Sequence, residues 1–113
     1  MHALIIEDEY MIAMTIEYVL RDCGFDSFDI APSGEAAIVL AAKRRPDLIT
    51  ADVQLRPGCG IQTVRTICKR PSTPVIFITG SAAEARARLP EHAVLNKPFS
   101  EQTLIYTVAA VLA

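Results

Sequence analysis

The sequence predicts a single α/β domain built on a parallel sheet of five strands, and three observations carry that prediction. Short, nearly unbroken apolar runs recur along the chain, as strands buried on both faces require. Between them lie stretches whose apolar residues repeat every three or four positions, the mark of amphipathic helices. Strand and helix alternate five times, and parallel neighbours are joined through helical crossovers, so the sheet is doubly wound. At 113 residues, residues 1–113 form one ordinary domain whose core needs no metal or disulfide staple.

Each element follows from its residues. His2 to Ile6 is bulky and apolar, reads as the first strand and ends on Glu7-Asp8-Glu9. Tyr10 to Leu20 places Ile12, Ile16, Val19 and Leu20 at helical spacing, and Gly24 stands where a helix end favours a left-handed residue. Met11 and Met14 are read as part of that core. Phe25 to Ala31 is a short second strand. Pro32-Ser33-Gly34-Glu35 opens the second helix with Ser33 as N-cap, and Ala36 to Ala42 carries it towards Pro46. The stretch from Pro46 to Gln54 is a turn, then a largely apolar strand, then a carboxylate, Asp52, at the strand's carboxyl end.

After Pro57, Gly58 and Gly60, the run Gly60 to Arg70 carries Ile61, Val64, Ile67 and Cys68 on one face and is closed by Pro71 and Pro74. Val75 to Ile78 is the fourth strand and ends on Thr79-Gly80-Ser81. Ala82 to Leu89 is rich in Ala and Arg and almost without large apolar side chains, so the fourth helix is expected to be short or poorly ordered. Glu91 to Asn96 is the fifth strand, followed by Lys97-Pro98-Phe99. Ser100 caps the last helix, whose buried stripe is Leu104, Ile105, Val108, Val111 and Leu112.

Composition removes several function classes. No apolar run reaches membrane-spanning length, and the N-terminus lacks the basic start and cleavage site of a signal peptide, so a cytoplasmic domain without membrane contact is expected. A formal net charge of −2 offers no electrostatic footprint for nucleic acid. The basic clusters Lys43-Arg44-Arg45 and Lys69-Arg70 fall at helix ends, where they complement the helix dipole. Three cysteines without C-x-x-C spacing argue against a disulfide framework or a zinc site and read as small buried hydrophobes. His2 and His92 are isolated and read as surface or strand-edge residues. Phosphate-cradling glycine motifs are absent, so nucleotide binding has no support.

Polar residues at the ends of four strands converge on one sheet edge: Glu7 and Asp8, then Asp52, Thr79 and Lys97. Ligands collect outside the carboxyl ends of the strands in such sheets. Crowded carboxylates repel unless a cation or proton offsets them, and hard oxygen donors suit Mg²⁺. Lys97, the Thr79 hydroxyl and the backbone N–H groups around Thr79-Gly80 are donors for an anionic phosphoryl group. Acids for a metal beside donors for an anion point to phosphoryl transfer. Glu9 reads as a favourable charge at a helix N-terminus.

Taken together, Leu4-Ile5-Ile6-Glu7-Asp8-Glu9, the strand-ending Asp52, Thr79-Gly80 and Lys97-Pro98-Phe99 resemble the receiver domain of bacterial two-component response regulators, over the whole chain and in order. The resemblance implies a flavodoxin-like strand order 2-1-3-4-5. It also implies that Asp52 is the nucleophile that takes phosphate from a sensor histidine kinase. Mg²⁺ would be held by Asp8 directly, by Glu7 through water, by Asp52 and by the backbone carbonyl of Gln54. Lys97 would pair with the phosphoryl oxygens, Thr79 would bond the phosphate and couple it to a conformational change, and the Lys97-Pro98 bond would be cis. A downstream protein and a phosphorylation-dependent dimer are implied as partners. No enzymatic activity is expected beyond the domain's own phosphotransfer and autodephosphorylation.

The chain departs from the family pattern in three places. Val94 stands three residues before Lys97, where the family usually has a Tyr or Phe that rotates inward. The segment from Thr79 to Lys97 is shorter than usual, and Pro57 comes one place late. Phe77-Ile78-Thr79-Gly80, the missing aromatic and the degenerate fourth helix together resemble the FAT GUY subgroup, which looks tied to kinases of the HWE type. Two alternatives stand beside this reading. A phosphohydrolase of the haloacid-dehalogenase kind looks for a second Asp two residues after the nucleophile, where this chain has Gln54. A pseudo-receiver serving only as an interaction module would be expected to have lost one of the acids, Thr79 or Lys97.

Overall fold

The computed structural model describes residues 1–55, 57–68 and 73–113. Strands and helices alternate as β1 (His2–Ile6), α1 (Tyr10–Asp22), β2 (Ser27–Ala31), α2 (Gly34–Lys43), β3 (Leu48–Ala51), α3 (Gly60–Ile67), β4 (Val75–Thr79), α4 (Ala82–Arg88), β5 (Ala93–Asn96) and α5 (Glu101–Leu112). The sheet order is β2-β1-β3-β4-β5 with every pairing parallel, as expected. The apolar runs are strands because every residue of β1, β3 and β4 is buried. Successive side chains point to opposite faces. Leu4, Ile6, Ile49, Ala51 and Phe77 therefore pack with Ala37, Ile61 and Val64 of α2 and α3. Ile5, Leu48, Ile76 and Ile78 pack on the other side with Ile16, Leu20, Leu104 and Val108 of α1 and α5.

The helix ends follow the expected chemistry. Ser33 Oγ accepts from the Ala36 N–H at 3.2 Å, and Ser100 Oγ accepts from the Thr103 N–H at 3.1 Å. Gly24 takes the left-handed backbone after α1 with φ of 98°. Helix α3 ends at Ile67 with Cys68 as its C-cap. Its expected continuation through Lys69 and Arg70, the closing Pro71, and Arg56 in the preceding loop lie outside the described residues.

Several expectations change. Met11 is 75% exposed, because α1 carries apolar residues on two faces and only the one with Ala13, Ile16, Val19 and Leu20 meets the sheet. The α5 stripe is narrower than expected: Leu104 and Val108 are buried, while Ile105 is exposed. The three cysteines are half-buried. Helix α4 is short, with seven residues, yet it is anchored through Ala82, Ala85 and the adjoining Leu89, all buried.

His2 is buried, contrary to the surface reading, because β2 and its neighbours supply partners for every polar group it carries. Its Nδ1 lies 2.8 Å from Ser27 Oγ and its Nε2 3.0 Å from Asp29 Oδ2. Arg44 donates to the same Ser27 Oγ at 2.7 Å, and Asp47 accepts from the His2 backbone N–H at 2.7 Å. His92 is half-buried with its ring edge-on to Phe77 at 5.5 Å between centroids. Replacing His2 with Ala leaves Ser27 and Asp29 short of a partner, and a loss of about 1–3 kcal/mol is expected. Urea denaturation of His2→Ala against the parent measures it as a lower transition midpoint.

Candidate functional site

Parallel register brings the candidate residues to one edge. Asp52 continues the ladder beyond β3 through its N–H to the Ile6 carbonyl at 3.0 Å, and Glu7 continues it beyond β1 through the Ala31 carbonyl at 3.0 Å. Lys97 is fixed at the end of β5 by its N–H to the Thr79 carbonyl at 2.9 Å. Its ammonium then sits 2.8 Å from Glu7 Oε1 and 2.8 Å from Asp52 Oδ2. The two carboxylates are held on their other sides as well. Asp52 Oδ1 accepts from the Gln54 N–H at 3.0 Å, and Glu7 Oε2 accepts from the Glu9 N–H at 3.1 Å.

The side chains of Glu7, Asp52 and Lys97 are only 1%, 8% and 17% exposed. Burial pushes the Glu7 carboxyl above the usual carboxylate range, against the opposing pull of Lys97 and the Glu9 N–H. For Lys97, burial is the largest single influence and would lower its pKa. The hydrogen bonds to Asp52 and Glu7 outweigh it, and the ammonium is held above its ordinary value. Carboxylate oxygens of Glu7, Asp8 and Asp52 all lie within 4.8 Å of one another, and Asp8 is the most exposed of the three. Hard oxygen donors at this spacing fit a Mg²⁺ ion, which binds through one or two carboxylates and keeps several waters.

A cavity of about 310 Å³ opens onto these groups and is lined by Asp8, Glu9, Asp52, Gln54, Gly80 and Lys97. Five of the expected site residues, Glu7, Asp8, Asp52, Gln54 and Lys97, therefore come together. Thr79 stands behind the cavity, fully buried at the end of β4, with its hydroxyl accepting from the Ser81 N–H at 3.2 Å. Beside the cavity, the Gln54 side-chain amide donates to Ser81 Oγ at 3.3 Å. The Lys97-Pro98 bond is cis.

Reading the sequence for chemistry missed Gly60. The first turn of α3 passes so close to the end of β3 that a Cβ on Gly60 would overlap the carbonyl oxygen of Asp52. Its signal was a glycine opening a helix, eight residues after the candidate nucleophile.

A sequence model of the response regulator receiver domain matches residues 3–109. The chain belongs to the response regulator receiver family. It is 35% identical over 113 residues to the phyllosphere-induced regulator PhyR of Methylorubrum extorquens, matching 96% of this chain and 42% of that protein. The solution structure of the receiver domain of Erythrobacter litoralis PhyR is 35% identical, with a TM-score of 0.88, over 98% of this chain and 88% of that one. The crystal structure of the anti-anti-sigma factor PhyR from Bartonella quintana is 34% identical, with a TM-score of 0.83, over 98% of this chain and 46% of that one. The receiver thus spans about half or less of the full-length PhyR proteins it matches.

The Gly60 contact is directly testable. Gly60→Ala forces the Asp52 backbone to move and is expected to cost about 1–3 kcal/mol by overpacking. Gly80→Ala, where an added Cβ meets nothing within 4 Å, is expected to stay within about 0.5 kcal/mol of the parent. Denaturant midpoints for the two variants make the comparison.

Proposed function

We propose that this receiver takes a phosphoryl group onto Asp52 from the phosphohistidine of a sensor kinase, with Mg²⁺ bound, and loses it by hydrolysis. The observation that carries the reading is the Lys97 ammonium held 2.8 Å from both Glu7 and Asp52 at the mouth of an acidic cavity. An Asp52 oxygen attacks phosphorus, the phosphorus–nitrogen bond to the donor imidazole breaks, and the product is an acyl phosphate on the side chain. Asp8, Glu7, Asp52 and the Gln54 carbonyl would hold the metal, which neutralises charge on the transferred group.

The chain's own part is positioning and charge. Lys97 stays protonated and leaves one carboxylate contact to meet a phosphoryl oxygen. The Gln54 N–H orients the Asp52 carboxylate through Oδ1. Thr79 would bond the phosphoryl group by turning away from Ser81. Hydrolysis returns the carboxylate and inorganic phosphate, and Gln54 and Ser81, hydrogen-bonded to each other beside the cavity, would set how readily water arrives.

We take the output to be protein binding in the cytoplasm rather than contact with nucleic acid, in keeping with a net charge of −2 and with relatives described as anti-anti-sigma factors. An anti-sigma factor is therefore the partner class to try first. The HWE-type kinase rests on the FAT GUY-like features around Thr79 and Val94, and the phosphorylation-dependent dimer on the receiver resemblance alone.

Intact mass after incubation with phosphoramidate tests the chemistry. The parent is expected to gain one phosphate, only with Mg²⁺ present, and Asp52→Asn to gain none. No gain by the parent would overturn the proposal in favour of a pure interaction module.

A further inference from the structure

Helix α4 meets the site at one end and the sheet edge at the other. Its apolar anchors are the two alanines Ala82 and Ala85 and the adjoining Leu89, which offer little area to hold a helix in place. Polar ties supplement them. At the N-terminal end, Ser81 donates its N–H to the Thr79 hydroxyl and accepts from the Gln54 side chain. Towards the C-terminal end, Arg86 Nη2 donates to the backbone carbonyl of Val94 at 3.1 Å. Strand β5 is the edge of the sheet, so a carbonyl facing away from β4 has no strand partner, and Arg86 supplies one. Three residues beyond Val94, the same strand delivers Lys97 to Glu7 and Asp52.

We propose that Arg86 is a positioning residue. Its bond to the Val94 carbonyl latches α4 onto β5 and so holds Ser81, and through it Thr79 and Gln54, in their arrangement around Asp52. The kinetic part rests on the acceptor reading of Asp52, whereas the latch itself does not. The Val94 side chain is a buried aliphatic with no ring to swing, so beyond its apolar packing with Ala82, Ala85 and Leu89 the tie between α4 and β5 is the bond to the Val94 carbonyl. When Thr79 leaves Ser81 for a phosphoryl group, one N-terminal tie of α4 is lost. The Arg86 bond then sets how far the helix moves. A hydrogen bond from a charged donor is worth roughly a ten- to hundredfold change in a local opening equilibrium.

Two measurements on the parent, Arg86→Ala and Arg86→Lys decide the matter. In amide exchange without a phosphodonor, the Ala82–Leu89 amides of Arg86→Ala are expected to exchange roughly ten- to hundredfold faster. Those of β1 and β3 stay unchanged, and Lys recovers part of the protection. Equal protection of α4 in all three proteins overturns the latch. Because the latched helix keeps Ser81 on Thr79, freeing it lets Thr79 turn to the phosphoryl group. With phosphoramidate and Mg²⁺, Arg86→Ala is therefore expected to phosphorylate faster than the parent and Arg86→Lys to fall between them; a slower Arg86→Ala overturns the proposal. Faster exchange with parent-like phosphorylation would make Arg86 merely structural and overturn the proposal. If the parent itself takes no phosphate, the acceptor reading fails and the positioning role falls with it. A flat response confined to the variants sinks this proposal alone.

Discussion

One ammonium placed between two buried carboxylates is the constraint on which this receiver depends. Glu7 and Asp52 are too deeply buried to be ionised side by side without compensation, since desolvation and mutual repulsion both act against them. Lys97 offsets both charges at once, and it can do so only if β1, β3 and β5 end at the same level on one sheet edge. The observed register, Ile6 beside Ala51 and Thr79 beside Asn96, meets that condition. A one-residue slip would turn Asp52 or Lys97 to the wrong face. Folding and site assembly are therefore the same event here, and removing either kind of charge leaves the other buried without its partner.

The compensation is incomplete, and that incompleteness makes the edge chemically useful. Three carboxylates, those of Glu7, Asp8 and Asp52, lie together and face a single ammonium. The residual negative charge favours a divalent cation from solvent, and burial raises the Glu7 pKa. Backbone groups then freeze the geometry: the Gln54 and Glu9 N–H groups each hold one carboxylate oxygen, and Gly60 lets α3 abut the Asp52 carbonyl. A site whose parts are already fixed would need little reorganisation in the phosphoryl transfer proposed above.

Much of this was legible from the residues, for identifiable reasons. Strands β1, β3 and β4 are buried on both faces, so their apolar runs are continuous and unambiguous, and each ends on a polar residue that the parallel topology sends to one edge. Met11 was misplaced because a helix with apolar residues on opposite faces does not say which face meets the sheet. His2 was misplaced because the groups that satisfy it, Ser27, Asp29 and Asp47, lie 25 to 45 positions away in the chain. Gly60 and Arg86 share a different cause. Each acts on a backbone carbonyl of another element, of Asp52 and of Val94, and backbone carbonyls carry no sequence signal.

The most direct test of the central claim is the thermal stability of Lys97→Met with and without Mg²⁺, measured beside the parent. Without Mg²⁺ the variant is expected to be less stable by about 3–5 kcal/mol, the usual cost of leaving a buried charge unpaired. Mg²⁺ is then expected to raise its midpoint by more than it raises the parent's, because the cation takes over the missing charge. A variant as stable as the parent, or one that responds to Mg²⁺ no more than the parent does, would contradict the central place given to the Lys97 ammonium.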